Sequence, residues 1–257
     1  MINDTKVIAI ANHKGGVGKT TTTASIGSIL SSMGKKVLMI DLDAQANLTG
    51  SFIKGEIEES IYHALTSTAR NMDPVRLPIH RLSENLHIVP ASLQLAMIDI
   101  ELSSAMSRES ILKNILESMS ETYDYILIDC PPSLALLTLN AMAAATEIII
   151  PLTAETLPFN GLKMIVQFIS TIQKRLNPNA HISGILITRW ENTNLSRQIE
   201  SGLRNNKFYH TFETKIRKNV SIAEAPLEAK NIVEYAPKSN GAKDYIAFTH
   251  ELLKILE

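Results

Sequence analysis

The stretch from Val7 to Thr21 constrains this chain more than any other part of it. Val7-Ile8-Ala9-Ile10-Ala11 is an apolar run of the length of a buried strand. Lys14-Gly15-Gly16-Val17-Gly18-Lys19-Thr20-Thr21 follows, and a helix-compatible segment opens near Thr21. Strand, glycine turn and helix start, in that order, are the parts of a phosphate cradle. Glycines let backbone N–H groups turn inward without a Cβ clash. The helix start adds unpaired N–H groups and the positive end of a dipole. In that arrangement Lys19 reaches β- and γ-phosphates and the Thr20 hydroxyl ligates Mg²⁺.

The bulk properties set bounds. The 257 residues contain no Pro/Ser-rich linker, charge block or repeat, so one domain over 1–257 is expected. Strand one begins near Lys6, which leaves no room ahead of it for a helix-turn-helix extension. Net charge is −1, so nucleic-acid contact would need a local basic patch. The single cysteine, Cys130, cannot form an internal disulfide and reads as a buried filler. No signal-peptide pattern opens the chain. The longest apolar stretch, around 141–152, is short for a bilayer and is broken by Thr146, Glu147 and Pro151. A soluble, cytoplasmic protein is expected.

Apolar runs at 36–40, 86–90, 125–129, 147–151 and 182–188 read as strands, with a further strand at 211–216. Helical patterning covers 21–33, 57–65, two helices within 92–120, then 134–145, 161–176, 195–204 and 242–256. Ser107 is a candidate N-cap for the second helix of the 92–120 pair. Strands apolar on both faces, alternating with helices, predict an α/β fold: a mostly parallel, twisted sheet with helices on both faces and ligands at the carboxyl strand ends.

The phosphate loop departs from the spacing G-x-x-x-x-G-K-[ST], because His13 stands where a glycine is required and Lys14 adds a second lysine. In this it resembles the deviant Walker A box of the ParA/MinD class of P-loop ATPases. The resemblance implies that Lys14 crosses a dimer interface to the partner's nucleotide, and that residues 14–21 bind ATP. Tyr125-Ile126-Leu127-Ile128-Asp129 resembles a Walker B strand, in which Asp129 supports Mg²⁺ near the nucleotide. Asp41-Leu42-Asp43-Ala44-Gln45 resembles the family's D-x-D-P-Q signature, with Ala44 in place of proline. The resemblance implies that Asp43, close to the metal, orients the attacking water. Asp129-Cys130-Pro131-Pro132-Ser133 is similar to a family D-x-P-P-S segment. Asn219-Val220-Ser221-Ile222-Ala223-Glu224-Ala225-Pro226 is closer to ParA/Soj partition proteins than to MinD.

Such proteins form ATP-sandwiched homodimers that bind double-stranded DNA without sequence preference. A ParB-like centromere-binding partner stimulates their weak Mg²⁺-dependent ATPase, and they work on the nucleoid. Between Arg189 and Lys218 stand Arg189, Arg197, Arg204, Lys207, Lys215, Arg217 and Lys218 against Glu191, Glu200 and Glu213, an excess of four positive charges. Such an excess suits phosphate contacts. Lys218 matches a basic family position that faces DNA, and Arg189 or Arg197 would stand in for an arginine missing from the segment Trp190-Glu191-Asn192-Thr193-Asn194-Leu195. The base is expected near Thr188 and the Ile216-Arg217 turn, where Arg217 replaces a common proline. The rival reading is a MinD-like or orphan positioning ATPase acting on a membrane or protein cargo. It would need a basic amphipathic C-terminal helix, whereas residues 243–257 carry two lysines against three acids and read as a docked core helix.

Overall fold

The computed structural model describes residues 5–154, 158–206 and 208–256. The apolar runs form one seven-stranded sheet. Its strands are β1 (Lys6–Ile10), β2 (Val37–Asp41), β3 (His80–Arg81), β4 (Leu86–Val89), β5 (Tyr125–Asp129), β6 (Glu147–Thr153) and β7 (His181–Thr188), in the order β3-β4-β2-β5-β1-β6-β7. All pairs are parallel except β3 with β4. Among the described residues, helices of eight or more residues are α1 (Lys19–Ser32), α2 (Ile61–Asn71), α3 (Ile111–Ser118), α4 (Leu136–Ala144), α5 (Pro158–Arg175), α6 (Asn194–Arg204) and α7 (Asn240–Leu256).

Alternation along the central strands sorts side chains into two cores. Val7, Ala9, Leu38, Ile40, Ile126 and Ile128 face a layer that includes α2 to α6. Ile8, Ile10, Val37, Met39, Tyr125 and Leu127 face α1 and α7. Burial on both faces is why these strands lack polar alternation. Helix α1 lies so close to the sheet that a Cβ at Gly27 would come within 2.6 Å of the Met39 sulfur. Helix α7 is docked as its sequence suggests, with Tyr245, Phe248 and Leu252 in the core. Among the described residues no helix is long and apolar enough to cross a membrane.

Four local expectations are corrected. The helix expected at 57–65 starts only at Ile61, because the extended Ser60 closes a capping box with His63. The region 92–120 is not two regular helices. Leu93–Met97 and Arg108–Ser110 are 3₁₀ turns, Ile98–Glu101 is a single α-turn, and only α3 is longer. Ser107 makes no side-chain cap and sits at φ 50°, a left-handed kink. Residues 211–216 do not form a regular strand. They run along the β7 edge through an isolated bridge of Thr211 with Ile185 and the Ile216 N–H to the Ile187 carbonyl, and a second bridge, Trp190 with Arg217, lies just past both segments.

Candidate functional site

Three strands deliver the site at their carboxyl ends. β1 runs into the glycine loop, and α1 begins at Lys19 with Gly18 before it. Gly16 (φ 71°) and Gly18 (φ 87°) are left-handed, so both turns need glycine. The loop is pinned from several sides. Asn12 donates to the Pro151 carbonyl (2.7 Å) and accepts from the Lys14 N–H (3.1 Å), and the Thr188 hydroxyl donates to the Val17 carbonyl (2.8 Å). His13, the departure from the wider loop pattern, packs on α5. A Cβ at Gly161 would lie 2.8 Å from its ring.

Lys19 is buried, and its Nζ donates to the Lys14 carbonyl at 3.1 Å. Burial lowers its pKa, against the opposing pull of Asp129, Cys130 and Asp43. Lys14 itself is exposed. Gly15 and Gly16 are exposed beside it, and Thr20 and Thr21 lie in the first turn of α1.

Asp41 and Asp129 end β2 and β5 as register partners, and both are buried. Their surroundings differ. Asp41 accepts from the Thr49 N–H (2.8 Å) and hydroxyl (2.7 Å) and from the Asp43 N–H (3.1 Å). Burial still raises its pKa to about 6. Asp129 has neither carboxylate oxygen hydrogen-bonded among the described residues. Burial, then Asp41, push its pKa well up, against the Thr20 hydroxyl and Lys19. Buried carboxylate oxygens without partners are uncommon in folded chains. Here they sit beside the Thr20 hydroxyl with Asp43 near, a donor set of hard oxygens that fits Mg²⁺. No group of three or more acidic, histidine or cysteine side chains forms a self-sufficient metal cage among the described residues. Mg²⁺ is suited to such a partial set, because it is usually completed by waters and substrate phosphates.

Asp43 is half-buried in the loop after β2 and accepts from the Gln45 N–H at 3.0 Å. The chain turns back there without the family proline, through a left-handed Ala46 (φ 52°) whose N–H donates to the Asp43 carbonyl. Cys130 is buried, with its thiol pushed up by burial and by Asp129, so it is inert filler as read.

Beside the loop lies a cavity of about 460 Å³. Gly16, Gly18, Thr21, Thr188, Ile216, Arg217 and Tyr245 are among its lining residues. Arg189 and Lys218 also line it, so two of the predicted DNA-facing residues border the pocket next to the phosphate loop. Arg197 stands on the first turn of α6, bound to the side-chain oxygens of Asn192 (3.1 Å) and Asn194 (2.7 Å). The Lys218 ammonium pairs with Glu191 at 3.2 Å, both about half exposed. Arg189 takes a left-handed backbone (φ 51°).

The fold dilutes the local charge excess. Arg204 pairs with Glu200 and Glu213, and Lys215 with Glu200. Two acids of α7 also reach this segment. Asp244 takes Arg217, and Glu251 accepts from the Glu213 and Thr214 N–H groups. Lys207 lies outside the described residues. The Asp41–Thr49, Thr22–Tyr245 and Arg217–Asp244 contacts were not anticipated from the sequence. The one available signal was an acid, Asp244, set among the apolar positions of the last helix.

Comparison with known proteins completes the assignment. A family model described as an AAA domain matches residues 5–182. The sporulation initiation inhibitor protein Soj of Bacillus subtilis (strain 168) is 40% identical over 250 residues, covering 96% of this chain and 98% of Soj. The chain belongs to the ParA/Soj-type ATPase family. The chromosome partitioning protein ParA of Myxococcus xanthus is 38% identical over 253 residues, covering 97% of this chain and 88% of that protein. Among solved structures, a Mycobacterium smegmatis protein described as cobyrinic acid a,c-diamide synthase, with a bound ATP analogue and magnesium, superposes with a TM-score of 0.83 at 33% identity. The match covers 97% of this chain and 94% of that one.

Proposed function

We propose that this ParA/Soj-type chain is an ATP-dependent dimerising switch that binds double-stranded DNA without sequence preference and partitions plasmids or chromosomes. Its weak, Mg²⁺-dependent ATPase is stimulated by a ParB-like partner, and it works in the cytoplasm on the nucleoid. The observation that carries this reading is the convergence of Lys19, Thr20, Asp43 and the unpartnered Asp129 at neighbouring strand ends.

In this reading the amides of Gly15 to Thr21 and the Lys19 ammonium hold the phosphates. Thr20 ligates Mg²⁺, and Asp129 and Asp43 support it. When bound, Mg²⁺ neutralises charge developing on the phosphate oxygens. Asp43 orients the water for in-line attack. Lys14 adds its charge to the nucleotide of the partner in the dimer, which couples hydrolysis to association. Arg189, Arg197 and Lys218 contact DNA phosphates. The exposed Lys218–Glu191 pair is weakly held, so it can open for a phosphate. The name of the Myxococcus xanthus chromosome partitioning protein ParA supports the cargo assignment.

The test is binding to a nonspecific duplex with ATP, with ADP and without nucleotide, at two salt concentrations. ATP-dependent binding that weakens steeply with salt is expected. Replacing Arg197 and Lys218 by Glu is expected to weaken it about tenfold or more while sparing nucleotide affinity. Absence of DNA binding in every state would remove the proposed track and favour a protein or membrane cargo.

A further inference from the structure

Arg217 lines the cavity beside the phosphate loop, and its guanidinium is not loose. Its Nε and Nη2 donate to the two carboxylate oxygens of Asp244 at 2.9 and 2.6 Å, and its own backbone N–H donates to the same carboxylate at 3.0 Å. The Asp244 side chain is only 11% exposed, whereas that of Arg217 is 43% exposed. One end of the fork is therefore clamped and the rest of the group is open.

The surrounding wall is equally fixed. The Ile216 N–H donates to the Ile187 carbonyl, and the Trp190 N–H to the Ile216 carbonyl. Tyr245, next to Asp244, is buried and shares a hydrogen bond with the Thr22 hydroxyl of α1. The helix that follows the phosphate loop, the helix that carries Asp244 and the strap that carries Arg217 thus form one tied frame around the cavity.

We infer that Arg217 is a stacking platform for the nucleobase, with Asp244 as the positioning residue that fixes its plane. This rests on the reading of the cavity as part of an ATP site and adds the group that recognises the base. A planar guanidinium stacks on a π-face, and one already clamped loses little freedom when a base settles on it. A guanidinium carries donors only and no acceptor. It therefore recognises a flat ring without telling adenine from guanine, since every base has a π-face.

Titration calorimetry with ADP, GDP and pyrophosphate tests this without hydrolysis. Arg217→Ala and Arg217→Lys are each expected to weaken ADP and GDP by the same factor, about tenfold, with pyrophosphate affinity unchanged. Arg217→Lys is the decisive variant, because it keeps the charge beside Asp244 and removes the plane together with its fork. Asp244→Asn is expected to show the same signature, a lowered ratio of ADP to pyrophosphate affinity, at smaller size. Wild-type ADP affinity in Arg217→Lys, or a parallel loss of pyrophosphate binding in either Arg217 variant, would overturn the inference. If the unsubstituted chain binds neither ADP nor pyrophosphate, the nucleotide reading itself fails and the inference falls with it.

Discussion

Asp41 and Asp129 are the same residue type at paired positions of adjacent strands, yet their neighbours give them opposite tasks. Three donors use up the oxygens of Asp41, which makes it a brace. It holds Thr49, whose hydroxyl in turn accepts from the Ala91 N–H, and it sets the start of the loop that carries Asp43. Asp129 is equally buried but neither of its oxygens is hydrogen-bonded among the described residues, which suits the proposed role beside a cation. The brace also explains why Asp43, one turn further, is the half-exposed acid in position to meet water. Asp43→Ala should therefore leave ATP binding within a few-fold of wild type. Steady-state phosphate release should fall by at least about 10²-fold, the scale of a lost water-activating group. Hydrolysis at the wild-type rate in this variant would move the water-orienting task to another residue.

At the level of elements, the strands and the phosphate loop were legible because their signal is local. A strand buried on both faces reads as a short apolar run, as in Tyr125–Asp129, and a left-handed turn before a helix needs glycine, as at Gly18. The strap at 211–216 was misread as a strand because its register depends on partners far along the chain. Glu251 takes two of its N–H groups and Asp244 a third at its end, so side chains replace a ladder. Glu251→Ala should destabilise the fold by about 1 kcal/mol, since water can reach part of what is lost. In thermal unfolding that corresponds to a Tm lower by roughly 2–4 °C. An unchanged Tm would mean that the strap holds its course without this carboxylate. The far edge of the sheet offers a second case. His87 of β4 is buried with its Nδ1 2.8 Å from the Tyr123 hydroxyl, and burial lowers its pKa against the pull of nearby Glu121, with Arg81 and Lys36 adding to the depression. The unfolded chain therefore takes up this proton first as pH falls below about 6.5, and the folded state loses stability from there down toward the lower folded value. The Tm of the protein should drop between pH 7.5 and 5.5, and His87→Gln should flatten that slope. Equal slopes for the two proteins would show that the imidazole does not contribute to the acid sensitivity.

For the whole molecule the decisive question is whether its site is complete within one chain. Lys19 is drawn inward onto the Lys14 carbonyl, whereas Lys14 itself is exposed. An exposed cation beside the phosphate cradle suits the proposed reach to a second copy facing it. In the proposed two-fold dimer each site takes Lys19 and Asp43 from one chain and Lys14 from the other. Lys14→Ala and Asp43→Ala should each be inactive alone. Mixed in equal amounts with ATP, half of the dimers contain one chain of each kind. In those dimers the site built around the Lys14→Ala chain keeps its own Asp43 and receives an intact Lys14 from its partner. The mixture should therefore recover roughly a quarter of wild-type phosphate release. If Lys14 served its own chain, no pairing of the two variants could rebuild a complete site and the mixture would stay as inactive as its components. Size-exclusion chromatography of the mixture with ATP would confirm that dimers form in either case.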